Sequence, residues 1–403
     1  MPVNALEDDI FKRQQGTKRM ATGILQTQGE SLTHPAPAPT GTVQSERLLS
    51  LDGLRGFDML WIIGGQFMIH GLAKVWPDRF WTGLSAQFEH VRWQGLHAFD
   101  VIWALFMFMV GVSLTFSLAK RKRMHESHGA IYAHAVKRVV LLFILGMIAQ
   151  GNLLQFNLAT LHPFYSVLHG IAAGYLIATI VTLNFKAKGQ ALTTAIFLVS
   201  YWILLLTIPV PGVGRGVLTP TGNAAIYIDT LIQGRFHFGE NTWFLSYLGF
   251  ASSVLLGVLA GEILLSARSK KVKCLMLYGY GAGLLVLGLI WSLWFPIIKL
   301  LWTSSFVLVA GGISCLLMAT FYLVIDVLGY RKWVFPFTVI GMNALAVYMA
   351  TEVYDFRKIG DIFVGSLLPR VGRWDEVLSA AASLTILWLI LYWMYRTRTF
   401  VKL

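Results

Sequence analysis

A short polar segment between two apolar runs holds the residue types best suited to chemistry. Residues 89–100 read EHVRWQGLHAFD and contain two histidines, an arginine and two acids. The apolar run that follows, residues 99–119, is long enough to cross a bilayer. Ionisable side chains at the end of a membrane span are costly unless they face water or an internal cavity. We therefore interpret this segment as a functional site.

The elements that must position this segment are membrane helices. Of the 403 residues, 56% are hydrophobic and 13% are charged, whereas soluble domains carry roughly 25% charged residues. The sequence thus predicts an all-α, polytopic transmembrane helical bundle in a lipid bilayer. About ten runs are long and apolar enough to span it: residues 51–72, 99–119, 139–158, 165–185, 191–210, 243–266, 275–294, 301–328, 334–354 and 377–395.

The distribution of positive charge predicts the topology and argues against nucleic acid as a partner. The formal net charge is +13, but the basic residues cluster in alternate loops. By the positive-inside rule this pattern places both termini in the cytoplasm, and the even number of spans that this requires agrees with about ten. The clusters fall within residues 12–19, 120–138, 186–188, 268–273, 331–332 and 396–402.

Composition shifts along the chain predict its domains. Residues 1–46 are polar, with a loose Ala/Pro/Thr/Gly stretch, and are predicted to be a disordered cytoplasmic tail, so residues 47–403 form the transmembrane domain. Cys274 and Cys315 lie in apolar runs and are expected to be core residues without a disulfide. The histidines of the basic loop after residue 120 have no cysteine nearby, so no metal site is predicted.

The first span begins with a group of charges in the sequence RLLSLDGLRGFDML. Asp52, Arg55 and Asp58 are spaced to share about one helix face. One interpretation is an ion-paired start of the helix, whose acids favour the N-terminal end of the dipole. The other is that Asp52 and Arg55, together with Lys137 and Arg138, bind a phosphate-bearing ligand from the cytoplasm.

Four segments in a fixed order carry a family resemblance: RLLSLDGLRG, HVRWQGLHAFDVIWALFMFMVGVSL, WTSSFVLVAGG and IGMNALAVY. From residue 47 to the C-terminus the sequence resembles the heparan-α-glucosaminide N-acetyltransferase family of transmembrane acetyltransferases and its bacterial relatives. The resemblance implies an inner-membrane enzyme that transfers an acetyl group from cytosolic acetyl-CoA, its co-substrate, to the amine or hydroxyl of a sugar or glycan acceptor, such as a glucosamine, on the periplasmic side. It also implies a homodimer.

The resemblance assigns the first site residues. His90 and Trp93 lie in the family's His-x-x-Trp-x-Gly-Leu pattern, so His90 is the implied catalytic residue and Trp93 is expected near the substrate. An imidazole can remove a proton from an attacking amine or hydroxyl, or accept the acetyl group itself; without the motif, a hydrogen-bonded interfacial histidine is the alternative. Gln66 stands where relatives have an asparagine and offers an amide to an oxyanion. Asp100 is expected to orient a histidine or hold water, or else to cap the second span.

A second set of site residues is implied near the eighth apolar run. The family's Lys-x-x-Trp-Thr-Ser-Ser block is matched by Lys299, Trp302, Ser304 and Ser305. These side chains are predicted to contact the acceptor or the acetyl carbonyl, although Ser and Thr also pack membrane helices against each other. Asn343 is predicted to line the cavity, because polar residues at membrane depth usually face the bundle interior.

Other functions remain open from the residues alone. The sequence departs from its relatives at His169, Gly170 and residues 238–241, so the resemblance does not specify the acceptor. A secondary transporter or channel for a small polar solute would use the same charges as a path and would show broken spans at matched positions in two halves. A structural membrane scaffold is the third alternative, and binding of acetyl-CoA would argue against it.

Overall fold

The computed structural model describes residues 48–401 and confirms the predicted all-α class. The predicted tail, residues 1–46, lies outside the described residues. The α-helices are α1 (Leu49–Leu60), α2 (Gln66–Val75), α3 (Arg79–Gln87), α4 (Val101–Arg123), α5 (His128–Ala149), α6 (Val167–Asn184), α7 (Ala187–Thr207), α8 (Ala224–Gln233), α9 (Tyr247–Leu265), α10 (Lys270–Trp291), α11 (Ser304–Tyr322), α12 (Phe335–Met342), α13 (Ala344–Val353), α14 (Phe356–Val364) and α15 (Asp375–Arg396).

Within the described part of the chain, eight helices are long and apolar enough to cross a membrane, namely α4, α5, α6, α7, α9, α10, α11 and α15. They form an inner and an outer set. The apolar windows of α4, α6, α9 and α11 are 67–72% buried, whereas those of α5, α7, α10 and α15 are 22–28% buried. Because lipid replaces water around a membrane protein, the less buried helices are those suited to face the bilayer.

The other two predicted spans, residues 51–72 and 334–354, are interrupted. In the first, α1 continues through a π-helical turn, Trp61–Gly65, into α2, and Gly64 has a φ of 135°, a conformation that favours glycine. In the second, Asn343 lies between α12 and α13 with non-helical dihedral angles. These are the first and ninth predicted spans, so they are not the matched pair that a transporter with two repeated halves would show. The total of ten crossings and the side of the termini stay predictions.

Small residues allow several helices of the bundle, including α1 and α12, to approach each other closely. A Cβ atom on Gly56 of α1 would overlap the Phe337 carbonyl of α12, and one on Gly341 of α12 would overlap the Asp52 carbonyl of α1. Glycines also permit the contact between α4 and α9, where Gly257 lies against the Phe108 carbonyl. The two interrupted segments are therefore packed directly against each other, as small residues permit in membrane bundles.

Candidate active site

The segment between α3 and α4 is held by backbone contacts rather than by regular structure. The amide of Gly95, whose φ is 123°, donates to the Ile297 carbonyl at 2.9 Å, and Gln94 forms an isolated bridge with Ile298. The Trp93 indole Nε1 donates to the Leu218 carbonyl at 2.7 Å. The contacts of Gly95 and Gln94 fix the segment to the loop between α10 and α11, and the Trp93 bond fixes it to the loop between α7 and α8. Trp93 thus anchors the segment, and it is absent from the described residues that line the cavity described below.

Asp100, at the entry to α4, is the centre of a hydrogen-bond network. The residue is 1% exposed, and its Oδ1 lies 2.8 Å from His90 Nδ1 and 3.3 Å from Lys299 Nζ. Its Oδ2 accepts from the backbone amide of His97 at 3.0 Å and from that of Val91 at 3.4 Å. A buried carboxylate needs such donors and positive charge nearby. The geometry matches two of the roles expected for Asp100, because Oδ1 contacts His90 and the bond from the His97 amide belongs to a capping box at the start of the second span.

Lys299 completes a three-residue cluster. Its Nζ lies 2.9 Å from His90 Nδ1 and 3.3 Å from His90 Nε2. Burial lowers the pKa of Lys299, and the adjacent Asp100 carboxylate opposes that shift by favouring the charged form. When Nδ1 of a neutral imidazole donates to a carboxylate, its Nε2 keeps the lone pair. The cluster therefore offers a basic nitrogen on His90 beside a cationic donor on Lys299.

His90 and Lys299 lie at the wall of a cavity of about 200 Å³ between α1, α4, α6 and α13. Three other polar side chains lie on this wall: Gln150, Tyr348 and Glu352. The rest of the wall is apolar and consists of Met59, Ile62, Phe99, Ile102, Trp103, Phe106, Val167, Leu168, Ile171 and Leu345. A mostly apolar cavity with a few converging polar groups is the usual form of a small-molecule site.

Glu352 and Asn343 lie in the same apolar run, and the sequence prediction names Asn343, not the ionisable Glu352, as the residue that lines the cavity. The structure ties Asn343 to the C-terminal segment instead, because its Nδ2 donates to the Thr399 carbonyl and its Oδ1 accepts from the Val401 amide. Asn343 is 1% exposed and is absent from the cavity wall of the described chain. Gln150 lies outside the four segments that carry the resemblance, and Tyr348 ends the segment IGMNALAVY but is not among the predicted site residues.

Trp302, Ser304 and Ser305 lie behind the cavity wall. Trp302 is buried, donates from Nε1 to Ser253 Oγ at 2.9 Å, and packs edge-on against Trp103 at a centroid distance of 4.5 Å. The Ser304 and Ser305 hydroxyls donate to backbone carbonyls, at 2.7 and 3.1 Å respectively. Ser305 therefore binds within the loop that carries Lys299, Ser304 ties the start of α11 to α7, and Trp302 supports the wall formed by Trp103.

Gln66 is the first residue of α2, directly after the π-helical turn. α1 and the π-helical turn contribute Met59 and Ile62 to the cavity wall. Gln66 is not among the wall residues in the described part of the chain. The structure thus does not bring Gln66 into the cluster formed by His90, Asp100 and Lys299.

Two of the predicted phosphate ligands, Arg55 and Arg138, lie about one helical turn away from residues of the cavity wall. Arg55 donates to Ser113 Oγ at 2.8 Å and lies 3.4 Å from an Asp52 carboxylate oxygen. In α1 it precedes the wall residue Met59 by four residues, which is about one helical turn. The Arg138 guanidinium lies 4.6 Å from the centroid of the Tyr175 ring.

Tyr175 follows the wall residue Ile171 by one turn on α6, so the Arg138 guanidinium, like that of Arg55, lies about one turn beyond the cavity. Lys137 is exposed on α5. Two of the three predicted cations therefore lie close to the cavity wall.

Comparison with known proteins gives one family. A sequence model described as "Heparan-alpha-glucosaminide N-acetyltransferase, catalytic" matches residues 47–295. The human heparan-alpha-glucosaminide N-acetyltransferase is 26% identical over 421 residues, covering 89% of this chain and 60% of the human protein. The mouse protein of the same name is 26% identical over 372 residues, covering 77% of this chain and 54% of the mouse protein. The chain thus spans somewhat more than half the length of these relatives.

Proposed function

Because the chain belongs to the heparan-alpha-glucosaminide N-acetyltransferase catalytic family, we propose that it is a membrane-embedded acetyltransferase. It would move an acetyl group from cytosolic acetyl-CoA to the amine or hydroxyl of a sugar acceptor on the opposite side. The observation that carries this proposal is the cluster of His90, Asp100 and Lys299 at the wall of a cavity within the helical bundle.

The geometry supports general base catalysis by His90. In the tautomer whose Nδ1–H donates a hydrogen bond to Asp100, Nε2 keeps the lone pair that takes a proton from the acceptor as it attacks the thioester carbonyl. The Lys299 ammonium, 3.3 Å from Nε2, is close enough to stabilise the negative charge that develops on the carbonyl oxygen. The carbon–sulfur bond then breaks, and the imidazolium returns its proton to the departing CoA thiolate.

An acetyl-histidine route needs the same Nε2 lone pair. In that sequence Nε2 attacks the thioester carbonyl, the carbon–sulfur bond breaks, and CoA leaves as the thiol with the proton that Nδ1 gives up. The acceptor then attacks the acetyl-imidazole, and its proton returns to the imidazole as the acetyl–nitrogen bond breaks. Rapid quenching of the protein with labelled acetyl-CoA and no acceptor separates the two routes, because only the second traps label on His90.

The positive charges support entry of acetyl-CoA from the cytoplasm. Arg55 and Arg138 lie about one turn beyond the cavity, where we propose that they bind the CoA phosphates with Lys137 and that Asp52 orients Arg55. The thioester then reaches His90 through the cavity. Only the acetyl group crosses the bilayer, which avoids moving a polyanion through hydrocarbon.

The other predicted residues take supporting roles in this proposal. Trp93 anchors the segment of His90, Ser305 binds within the loop of Lys299, and Trp302 and Ser304 tie the end of that loop to α9 and α7. Gln66 and Asn343 have no assigned contact with substrate, and the polar wall residues Gln150, Tyr348 and Glu352 are better placed to contact the acceptor. Assembly as a homodimer and location in a bacterial inner membrane are predictions from the resemblance.

Sealed proteoliposomes test the proposal and its sidedness together. Vesicles loaded with glucosamine receive acetyl-labelled acetyl-CoA on the outside, and we expect labelled N-acetylglucosamine to accumulate inside. The transporter alternative predicts movement of unmodified solute without acetylation. Acetylated product that forms only after the vesicles are permeabilised, or none at all with any of a panel of amino and hydroxy sugars, would contradict the proposal.

A further inference from the structure

Asp58 of α1 is a buried carboxylate that the proposed reaction does not use. The residue is 1% exposed, and both carboxylate oxygens lack a hydrogen-bond partner among residues 48–401. Although the sequence places it on one helix face with Asp52 and Arg55, the observed ion pair joins Arg55 to Asp52. A carboxylate without donors or a counter-charge is costly in an apolar interior.

Asp58 lies on the wall of a second cavity, with a volume of about 410 Å³. This volume is within the range of cavities that bind small organic molecules. Aromatic residues Phe57, Trp61 and Phe88 form part of the wall, and the ring centroids of Trp61 and Phe88 are 4.5 Å apart. The remaining wall residues are Gln87, Leu96, His97, Ala98, Val101, Ile102, Leu105, Ile313 and Leu317.

The second cavity has an accessible end and lies beside the first. Gln87 and Ala98 are exposed, whereas Asp58 is buried, so a ligand entering past Gln87 would meet the carboxylate inside. Ile102 contributes to the walls of both cavities. The wall residue Phe88 also packs near Phe99, which lines the first cavity, with ring centroids 6.4 Å apart. The two cavities are therefore separate and adjacent, with Ile102 in the wall of each.

The chemistry of this wall selects a cationic ligand. An ionised Asp58 would repel an anion, and a neutral apolar molecule would leave the carboxyl group without a partner. A ligand ammonium can pair with the carboxylate, and aromatic ring faces attract cations in a desolvated site. We propose that the second cavity binds a small organic ammonium ion whose apolar body packs against Phe57, Trp61 and Phe88. This inference rests on the cavity and does not depend on the acetyl-transfer proposal.

Calorimetric titration of the purified native protein with 2-phenylethylammonium tests the proposal, with 2-phenylethanol as the uncharged probe of similar shape. We expect the ammonium probe to bind and the alcohol to bind at least about tenfold more weakly. The Asp58→Asn variant keeps the shape and removes the charge, so its dissociation constant for the ammonium should rise about 100-fold. The exposed-site control Asp375→Asn should bind like the native protein.

Chemical protection in the native protein gives a second test that needs no variant. A hydrophobic carbodiimide should label Asp58, and 2-phenylethylammonium should protect it whereas 2-phenylethanol should not, as read by peptide mass spectrometry. Equal affinity of native protein and Asp58→Asn for the ammonium would overturn the proposal. So would the absence of both binding and protection, which would leave Asp58 as a protonated structural acid.

Discussion

Replacement of Asp100 by Asn isolates the contribution of the buried carboxylate to the cluster. The side chains have the same shape, and Asp100 is 1% exposed, so the change removes a charge without opening a cavity. The single side-chain oxygen of Asn can still accept a hydrogen bond from the His97 amide. The Asn amino group, however, can donate to His90 Nδ1, which would leave the proton on Nε2 and remove the base.

The size of the effect follows from two losses. A carboxylate and an imidazolium about 4 Å apart between charge centres attract by about 4 kcal/mol at an effective dielectric constant of about 20. The His90 side chain is 53% exposed, so solvent screening reduces this to about 2 kcal/mol. We take the loss from the wrong tautomer to be about 2 kcal/mol as well, which keeps the sum below the roughly 5 kcal/mol, or about 10⁴-fold, that a comparable substitution costs in the Ser-His-Asp triad. We expect kcat to fall on the order of 10³-fold.

The assay is steady-state acetylation of an amino sugar by detergent-purified native protein, Asp100→Asn and the surface control Asp375→Asn. Asp100 is not among the described residues of the cavity wall. The KM for acetyl-CoA should therefore stay within about threefold while kcat falls. A kcat within tenfold of native, or a loss carried by KM instead, would refute the assignment of Asp100 as the residue that orients His90.

The remaining predictions address the other parts of the account. Lys299→Gln should lower kcat on the order of 10²-fold with acetyl-CoA affinity within about threefold, since it removes a cation from the developing oxyanion; a change in affinity alone would contradict this. Arg138→Gln should raise the KM for acetyl-CoA about tenfold but leave that for acetyl-pantetheine unchanged, because acetyl-pantetheine lacks the nucleotide phosphates. Gly56→Ala should lower Tm by about 5 °C or more through overlap with α12, whereas Gly279→Ala, which faces open space, should change Tm by about 1 °C at most, as thermal unfolding will show. Burial raises the pKa of the Asp229 carboxyl group to about 6, so between about pH 4 and 6 the folded state keeps a proton that the unfolded state loses. The free energy of unfolding should therefore fall by about 3 kcal/mol as pH rises through this range. The corresponding decrease in Tm should be absent in Asp229→Asn.

The sequence predicted the long helices well, and it named His90, Asp100 and Lys299, which the structure brings together. A continuous apolar run in a membrane forms a helix, because its backbone groups must hydrogen-bond to each other there. Hydropathy therefore predicts the eight uninterrupted helices. The motif around His90 and Asp100 is short in sequence, and the residues lie close together because the segment turns back at Gly95. A sequence motif predicts Lys299 as a site residue, but only the fold shows that its Nζ lies 2.9 Å from His90 Nδ1.

The sequence was least informative where one residue type serves two purposes. Hydroxyls such as those of Ser304 and Ser305 suit either a substrate or a backbone carbonyl, and the fold uses them for carbonyls. Asn343 and Glu352 are both polar residues in one apolar run, yet the fold places Glu352 at the cavity. The break at Gly64 depends on its packing as well as on a glycine pair, which many intact membrane helices also contain.

Transfer of label from acetyl-CoA by purified native protein, compared with His90→Ala, tests the central claim most directly. His237→Ala, a histidine outside the cavity, serves as the matched control, and CoA binding is measured in parallel. We predict that transfer to an amino or hydroxy sugar is lost in His90→Ala, while CoA binding is kept and the control stays active. Undiminished transfer by His90→Ala, or the absence of CoA binding in the native protein, would contradict the account.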